Sequence, residues 1–149
     1  MSGRPLPRPP TASTEVPLRR RLGDRAESLV AAELEALGWI ILAAGVHVGR
    51  DELDLICVEP GPPPTLVFVE VRSRSSVRFG APEETLDGAK IARTYRAAFA
   101  LLRAGRLPDG SSLPPFRWRV DLVAVDARPV AGHEKDGVRV RHIRGVAPD

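Results

Sequence analysis

The sequence is poorest in the residues that build covalent or metal cross-links. Cys57 is the only cysteine among 149 residues, so no disulfide can form within the chain. The histidines, at positions 47, 133 and 142, are too scattered to match the spacing of a structural zinc site. We therefore expect stability to come from a hydrophobic core, and we expect a reducing, cytoplasmic location.

Long apolar runs are also missing. No stretch approaches the ~20 apolar residues that a membrane-spanning helix needs, so we expect no membrane partner. The charged N-terminus is followed by prolines rather than by an apolar segment, which argues against a secretory signal. With 43% hydrophobic and 28% charged residues, the composition is typical of a soluble globular domain.

The numbers of basic and acidic residues are nearly equal. The 22 Lys and Arg residues exceed the 19 Asp and Glu residues by three, which gives a net charge of +3. So small a surplus is only a weak indication of a nucleic-acid partner, because it also serves solubility. Most of the basic residues are arginines, however, and the planar guanidinium group suits phosphate oxygens.

The chain divides into three parts. Residues 1–20 are rich in proline and arginine and predict a disordered arm. Residues 21–144 carry helical and strand patterns and predict a single α/β domain, and residues 145–149 are expected to form a tail. A chain of this length fits one domain better than two.

Hydrophobic periodicity predicts the order α-β-β-β-α-β, followed by a last strand. Apolar residues at three- and four-residue steps predict helices over 22–37 and 86–104. The apolar stripe of the second helix is expected to consist of Ile91, Tyr95, Ala98, Phe99 and Leu102. Strands are expected over residues 39–44, 52–58, 65–72, 118–125 and 138–143. Turns and loops are expected over 46–51, 59–64, 73–85 and 105–117, and the four prolines within 59–64 predict a hairpin.

Two carboxylates interrupt strands that are otherwise apolar. Asp54 lies in the second predicted strand and Glu70 in the third. Such near-continuous apolar runs are typical of strands covered on both faces. An ionised carboxylate in that setting is costly unless it is paired or bound to a metal.

Antiparallel pairing of these strands would bring the two carboxylates together. If Val58 pairs with Leu66 across the proline loop, Asp54 lies opposite Glu70 with the Cβ atoms ~5 Å apart. Two carboxylates at that distance repel each other unless a cation lies between them, and Mg²⁺ or Mn²⁺ would suit such oxygen donors. Side-chain alternation places Arg72 on the same face as Glu70. The alternative is a structural salt-bridge network in which both carboxylates pair with arginines.

A third carboxylate belongs to the first predicted helix. Glu27 lies about 60° around the helix from Val30, on the shoulder of the apolar stripe. From there it could lean toward Asp54 and Glu70. An exposed helix glutamate is the alternative.

A group of basic residues forms a candidate nucleic-acid surface. Four of them fall on one side of the second helix, and two follow the third strand. They are Lys90, Arg93, Arg96 and Arg103, with Arg74 and Arg78. Such a row would track phosphates without reading sequence, and a solvated helix face is the alternative. No helix-turn-helix, zinc finger or aromatic stacking platform is indicated.

Several blocks occur in an order that resembles a known family. They are Gly23-Asp24-Arg25-Ala26-Glu27, Asp51-Glu52-Leu53-Asp54-Leu55-Ile56, Phe68-Val69-Glu70-Val71-Arg72-Ser73-Arg74 with Phe79-Gly80, Lys90, and Trp118-Arg119-Val120-Asp121-Leu122-Val123. Together they resemble the YraN-like uncharacterised bacterial protein family, UPF0102, over residues 21–126. That family resembles the PD-(D/E)xK nuclease superfamily, which includes Holliday junction resolvases.

The resemblance implies a restriction-endonuclease-like αβββαβ core with a mixed central sheet flanked by helices. It implies that Asp54 and Glu70 bind Mg²⁺ (or Mn²⁺), that Glu27 is an accessory carboxylate, and that Arg72 occupies the basic position of the site. The implied function is a Mg²⁺-dependent endonuclease acting on DNA rather than RNA, branched or damaged, in repair or recombination. A homodimer is expected of a junction-cutting enzyme.

Two positions depart from the family pattern. Asp51 stands where glycine is usual, which adds a charge beside the site. Arg72 stands where the nuclease pattern has lysine, and arginine stays protonated, so it cannot act as a general base. Three functions are therefore open at this point: an active endonuclease, a catalytically weak or inactive nucleic-acid-binding module on the same fold, and a protein-interaction factor.

Overall fold

The computed structural model describes residues 25–74, 88–126 and 138–148. The elements in these residues follow the predicted order. They are α1 (Arg25–Ala36), β1 (Ile40–Val48), β2 (Asp51–Glu59), β3 (Thr65–Arg74), α2 (Gly88–Ala104), β4 (Arg117–Asp126) and β5 (Arg139–Ile143). The predicted arm over 1–20 lies outside the described residues, so it stays a prediction, as do the domain boundaries.

The strands form one mixed sheet in the order β1-β2-β3-β4-β5. Neighbouring strands are antiparallel except for β3 and β4, which are parallel. A parallel pair cannot be joined by a tight turn, and the segment between β3 and β4 contains α2. The structure therefore confirms an α/β fold with a mixed central sheet and flanking helices.

The hairpin formed by β2 and β3 has the register that the sequence suggested. Val58 lies opposite Leu66, and the pairing runs without a shift toward the start of β2. One further residue in this register sets Asp54 opposite Glu70. The proline-rich connection therefore fixes which side chains meet at the far end of the hairpin.

Both faces of the sheet are covered. In β3, Val67 and Val69 pack in the cluster that contains α1, whereas Leu66 and Phe68 pack in the cluster that contains α2. All four side chains are fully buried. This alternation on a doubly covered sheet explains why the strand reads as a continuous apolar run. Neither α1 nor α2, the helices within the described ranges, has the length and apolar content needed to cross a bilayer.

The turn predicted over 46–51 is present but shorter than predicted. Val46 and Val48 pair with Leu53 and Asp51, so β1 continues to Val48. The reversal is confined to two residues, of which Gly49 has a φ of 62°. Because glycine adopts this left-handed conformation without strain, a two-residue hairpin suffices, and β2 begins directly at the carboxylate end of the sheet.

The apolar stripe predicted for α2 is partly wrong. The buried residues of the helix include Ala97, Ala98 and Leu101, whereas Phe99 is 50% exposed. Alanine allows the helix axis to approach the sheet closely, so the largest ring is displaced to the outside. Phe99 packs instead against the half-buried Trp118 of β4.

A buried ionic network joins the last two strands. Asp121 is 0% exposed and accepts hydrogen bonds from Arg119 Nε at 2.8 Å and from the backbone N–H of Gly145 at 2.9 Å. His142 Nε2 lies 2.8 Å from the same carboxylate. Burial alone would raise the pKa of Asp121, but its hydrogen bonds with His142 and Arg119 hold the pKa below the ordinary value. Arg119 and Asp121 lie two positions apart in β4 and therefore on one face of the strand, which allows them to pair.

Candidate functional site

The carboxylates meet at the end of the sheet where β2 begins and β3 ends. Asp54 comes from β2 and Glu70 from β3, while Glu27 lies in the first turn of α1. The first turns of α2 bring Lys90 and Thr94 to the same place. Four elements, α1, β2, β3 and α2, thus converge on one small region, which sequence spacing alone could only suggest.

Asp54 is in contact with the other two carboxyl groups. The side chain of Asp54 is a hydrogen-bond partner of both Glu27 and Glu70. The backbone N–H of Val71 donates to Asp54 Oδ2 at 2.8 Å, and the Thr94 hydroxyl lies 3.5 Å from Glu70 Oε1. The structure therefore brings together the three carboxylates that the sequence singled out, and it adds Thr94, which periodicity had not indicated.

Burial changes the protonation of this cluster. It raises the pKa of Glu70 to about 7, and the negative charge of Asp54 acts in the same direction. Burial also raises the pKa of Asp54, against the opposing effect of the Val71 N–H. Two carboxyl groups in one buried place cannot both ionise cheaply, so they hold a proton near neutral pH. Groups perturbed in this way are typical of functional sites.

Arg72 lies beside Glu70 with unused hydrogen-bonding capacity. Its Nε atom is 3.4 Å from Glu70 Oε2. Among the described residues, the buried Nε and Nη2 atoms of Arg72 have no hydrogen-bond acceptor. A buried donor without an acceptor costs free energy. The guanidinium group therefore has donor capacity that its contact with Glu70 does not use.

An open cavity of about 200 Å³ lies over the carboxylates. Acidic residues form one part of its wall, and the cations of α2 and of the β1–β2 turn form the other. The lining residues are Arg50, Asp51, Glu52, Asp54, Glu70, Lys90, Arg93 and Thr94. Two of the predicted nucleic-acid contacts, Lys90 and Arg93, are thus at the site.

Arg96, a third predicted contact, pairs with the residue that departs from the family pattern. Its Nε and Nη2 atoms donate to Asp51 Oδ2 and Oδ1 at 2.9 and 2.7 Å. This pairing holds the pKa of Asp51 below its ordinary value. The extra charge is therefore neutralised, and the pair ties α2 to the start of β2. Sequence reasoning missed the pair because the partners are 45 positions apart.

The remaining predicted contacts follow β3. Arg74 is the last residue of that strand. Arg78 lies outside the described residues, so its proximity to the site stays a prediction.

The oxygen donors fit Mg²⁺ or Mn²⁺. Asp54 and Glu70 offer two carboxylates from adjacent strands, which is the donor chemistry these cations prefer. Within the described ranges, no group of three or more His, Cys, Asp or Glu side chains is arranged to hold a metal ion. Mg²⁺ does not require one, because waters and substrate phosphates commonly complete its coordination.

Comparison with known proteins shows which family the chain belongs to. The family model described as "Uncharacterised protein family UPF0102" matches residues 26–125. The chain belongs to this family. Similar UPF0102 proteins include one of Roseiflexus castenholzii, which is 36% identical over 125 residues and covers 84% of this chain and 91% of the relative. One of Frankia casuarinae is 40% identical over 125 residues, with 84% and 94% covered. One of Symbiobacterium thermophilum is 39% identical over 112 residues, with 75% and 87% covered.

The matched span of this UPF0102 protein contains the whole carboxylate cluster. Glu27, Asp54, Glu70 and Arg72 all fall within residues 26–125. The family resemblance drawn from the sequence blocks is therefore confirmed. The nuclease resemblance and the roles assigned to these residues stay predictions.

Proposed function

We propose that this UPF0102 protein is a cytoplasmic, Mg²⁺-dependent endonuclease that acts on DNA, branched or damaged, in repair or recombination. The observation that carries the proposal is the meeting of the buried Glu70 carboxyl group and the partly buried Asp54 carboxyl group with the guanidinium group of Arg72, whose Nε and Nη2 atoms have no hydrogen-bond acceptor among the described residues. Opposite charges arranged in this way suit one phosphate, approached through a cation on one side and by Arg72 on the other.

Asp54 and Glu70 are the proposed metal ligands. When bound there, Mg²⁺ (or Mn²⁺) would polarise the scissile phosphate and lower the pKa of a coordinated water. Glu27, in contact with Asp54, is placed to orient the attacking water. The pKa of Glu70 is about 7, so Glu70 is partly protonated at neutral pH. Metal binding at this pair would therefore release a proton.

Different basic residues of the site would bind different phosphates of the nucleic acid. Arg72 donates hydrogen bonds to the phosphate oxygens and stabilises the charge that develops on them, a role that requires no proton transfer. Lys90 and Arg93, across the cavity, contact neighbouring phosphates. Such contacts position a substrate without reading its bases, which fits a protein that recognises DNA shape rather than sequence. Symmetric incision of a junction would further require a homodimer.

Cleavage of labelled linear and four-way-junction DNA, with Mg²⁺, Mn²⁺ or EDTA, tests this proposal. We expect metal-dependent cutting that falls by about 100-fold or more in Asp54→Asn and in Glu70→Gln, because each variant removes a ligand carboxylate. The matched control is Glu33→Gln, which changes an exposed carboxylate of α1. Cutting that survives in EDTA, or in both site variants, would contradict the proposal. Band shifts without cutting would identify a binding module instead.

A further inference from the structure

The second helix has an unusual concentration of one charge. Among its 17 residues are four basic side chains and no carboxylate; the basic ones are Lys90, Arg93, Arg96 and Arg103. The helix thus carries +4, whereas the whole chain carries only +3. A one-signed element in a nearly balanced protein is suited to a polyanion rather than to an average protein surface.

An exposed aromatic ring lies within this basic face. Phe99 is 50% exposed, and its ring packs edge-on against Trp118 with centroids 5.3 Å apart. Tyr95 holds it from a second side at 6.2 Å. The ring is therefore fixed in orientation by its neighbours while half of its surface faces solvent. We refer to Tyr95, Phe99 and Trp118 together as the aromatic platform.

The basic residues flank the ring along the helix. Arg96 precedes Phe99 by three positions and Arg103 follows it by four, so both are its neighbours on the helix surface. All three fall within an arc of about 60° at 100° per residue. The exposed Arg103 offers a phosphate contact beside the ring, whereas the Nε and Nη2 atoms of Arg96 are donated to Asp51.

A row of exposed side chains joins the aromatic platform to the cavity over the carboxylates. Arg93 lines that cavity, and Arg96 and Phe99 follow it at three-residue steps, all three exposed. Six residues advance the helix by about 9 Å and turn the row by about 120° around its axis. A strand that follows this row from Arg93 would reach Phe99 a few nucleotides from the site.

We propose that the outer face of α2 binds an unpaired strand of nucleic acid, with one base stacked on Phe99. In a duplex both faces of a base are already stacked, so the ring can accept only a nucleotide that has left the helix. This inference deepens the proposed function, on which it rests for the direction of the strand. It assigns to the site a substrate with unpaired nucleotides within a few positions of the scissile phosphate.

Binding measured by fluorescence anisotropy in EDTA tests the inference independently of cleavage. The probes are a labelled 20-nucleotide single strand, the corresponding blunt duplex, and that duplex with a single-stranded overhang. We expect Phe99→Ala and Phe99→Leu to weaken single-strand and overhang binding by roughly 5- to 100-fold, the effect of losing one base–aromatic stack. Blunt-duplex binding should stay within about twofold, and Phe99→Trp should restore the single-strand affinity.

The controls separate stacking from folding and from other partners. Phe99→Leu keeps an apolar group against Trp118, and Leu37→Ala removes an apolar side chain that is 66% exposed outside α2. Equal single-strand affinity in wild type and Phe99→Ala overturns the inference, whatever the cleavage assay gives. Loss of self-association in Phe99→Ala, with nucleic-acid binding unchanged, also overturns it and assigns the ring to a second copy of the chain. Single-strand binding that depends on Phe99, without any cleavage, supports the inference and contradicts only the proposed function.

Discussion

At the scale of single residues, the carboxylate site is destabilising for the protein that carries it. Glu70 is 8% exposed and faces another carboxylate, and Arg72 has buried donors for which the described part of the chain provides no acceptor. Each of these features costs free energy in the folded protein. Such costs are common at functional sites, because groups selected for a ligand are not arranged for the free protein.

Glu70 should make stability depend on pH. Its pKa in the folded protein is about 7, above its ordinary 4.5, so the folded state retains a proton that the unfolded chain releases. The stabilisation is therefore fully present below about pH 4.5 and is lost as the pH rises through 7. We expect wild type to lose up to roughly 3 kcal/mol of unfolding free energy between about pH 5 and pH 8, and Glu70→Gln to lose much less. Urea unfolding across that range measures the difference.

The control for this experiment is Glu33→Gln, which should follow the wild-type profile because the side chain is exposed. Identical pH profiles of wild type and Glu70→Gln would show that Glu70 ionises in the folded protein as it does in the unfolded chain.

At the scale of elements, β5 is held by polar contacts more than by apolar ones. Its five residues are all partly or fully exposed. The Asp121 carboxylate of β4 binds His142 of β5 and the N–H of Gly145 beyond it. An edge strand with so little buried surface depends on this buried carboxylate for its position.

Replacing the Asp121 carboxylate should lower the free energy of unfolding. We expect Asp121→Asn to cost about 2 kcal/mol of unfolding free energy, because the hydrogen bonds of Arg119 and of the Gly145 N–H would lose a charged acceptor, although Arg119 would keep its second carboxylate partner, Glu59. Asp109→Asn, at an exposed loop carboxylate, should change stability by less than about 0.5 kcal/mol. Denaturant titration of the two variants compares them directly, and equal effects would show that the buried network contributes little.

The cations of α2 should act as phosphate contacts that depend on salt. For each of Arg93→Gln and Arg103→Gln we expect weaker binding of a blunt duplex and a salt slope, in log Kd against log salt, that is smaller by about one. The matched control is Arg25→Gln, an exposed cation of α1. Slopes unchanged in both α2 variants would move the nucleic-acid contact away from this helix.

At the scale of the whole molecule, the sheet and its two helices place the site at one end of the strands. α1 and α2 cover opposite faces, yet each presents its first turns at that end. The cluster is therefore built from segments that come together only when the fold is complete. A ligand that bridges them should stabilise the folded state as a whole.

Divalent metal should raise the melting temperature of the protein. We expect excess Mg²⁺ or Mn²⁺ to raise the Tm by several degrees at about pH 8 and by less at about pH 5.5, where protons compete for Asp54 and Glu70. Asp54→Asn should abolish the shift. Differential scanning calorimetry in Ca²⁺-free buffer, with and without EDTA, measures the shift in Tm. An equal shift in wild type and Asp54→Asn would show that the metal binds at a site that does not include Asp54.

The sequence by itself determined the elements that depend on neighbours along the chain. Periodicity predicted the order of helices and strands, and the proline loop with the two-residue alternation predicted that Asp54 meets Glu70 and that Arg72 shares its face. These are local properties, because a strand's faces follow from counting residues. The same reasoning predicted too long a turn over 46–51, because Gly45 and Gly49 interrupt the strand pattern. An interruption of the pattern does not show how short the turn is.

Only the tertiary structure decided what depends on packing between distant segments. The pairing of Asp51 with Arg96 joins residues 45 positions apart, and the exposure of Phe99 depends on how closely α2 approaches the sheet. The contact of Glu27 with Asp54 likewise required α1 to begin at the end of the sheet where β2 begins. These contacts and exposures depend on how side chains of different volume pack between distant segments. That packing cannot be worked out by counting residues along the chain.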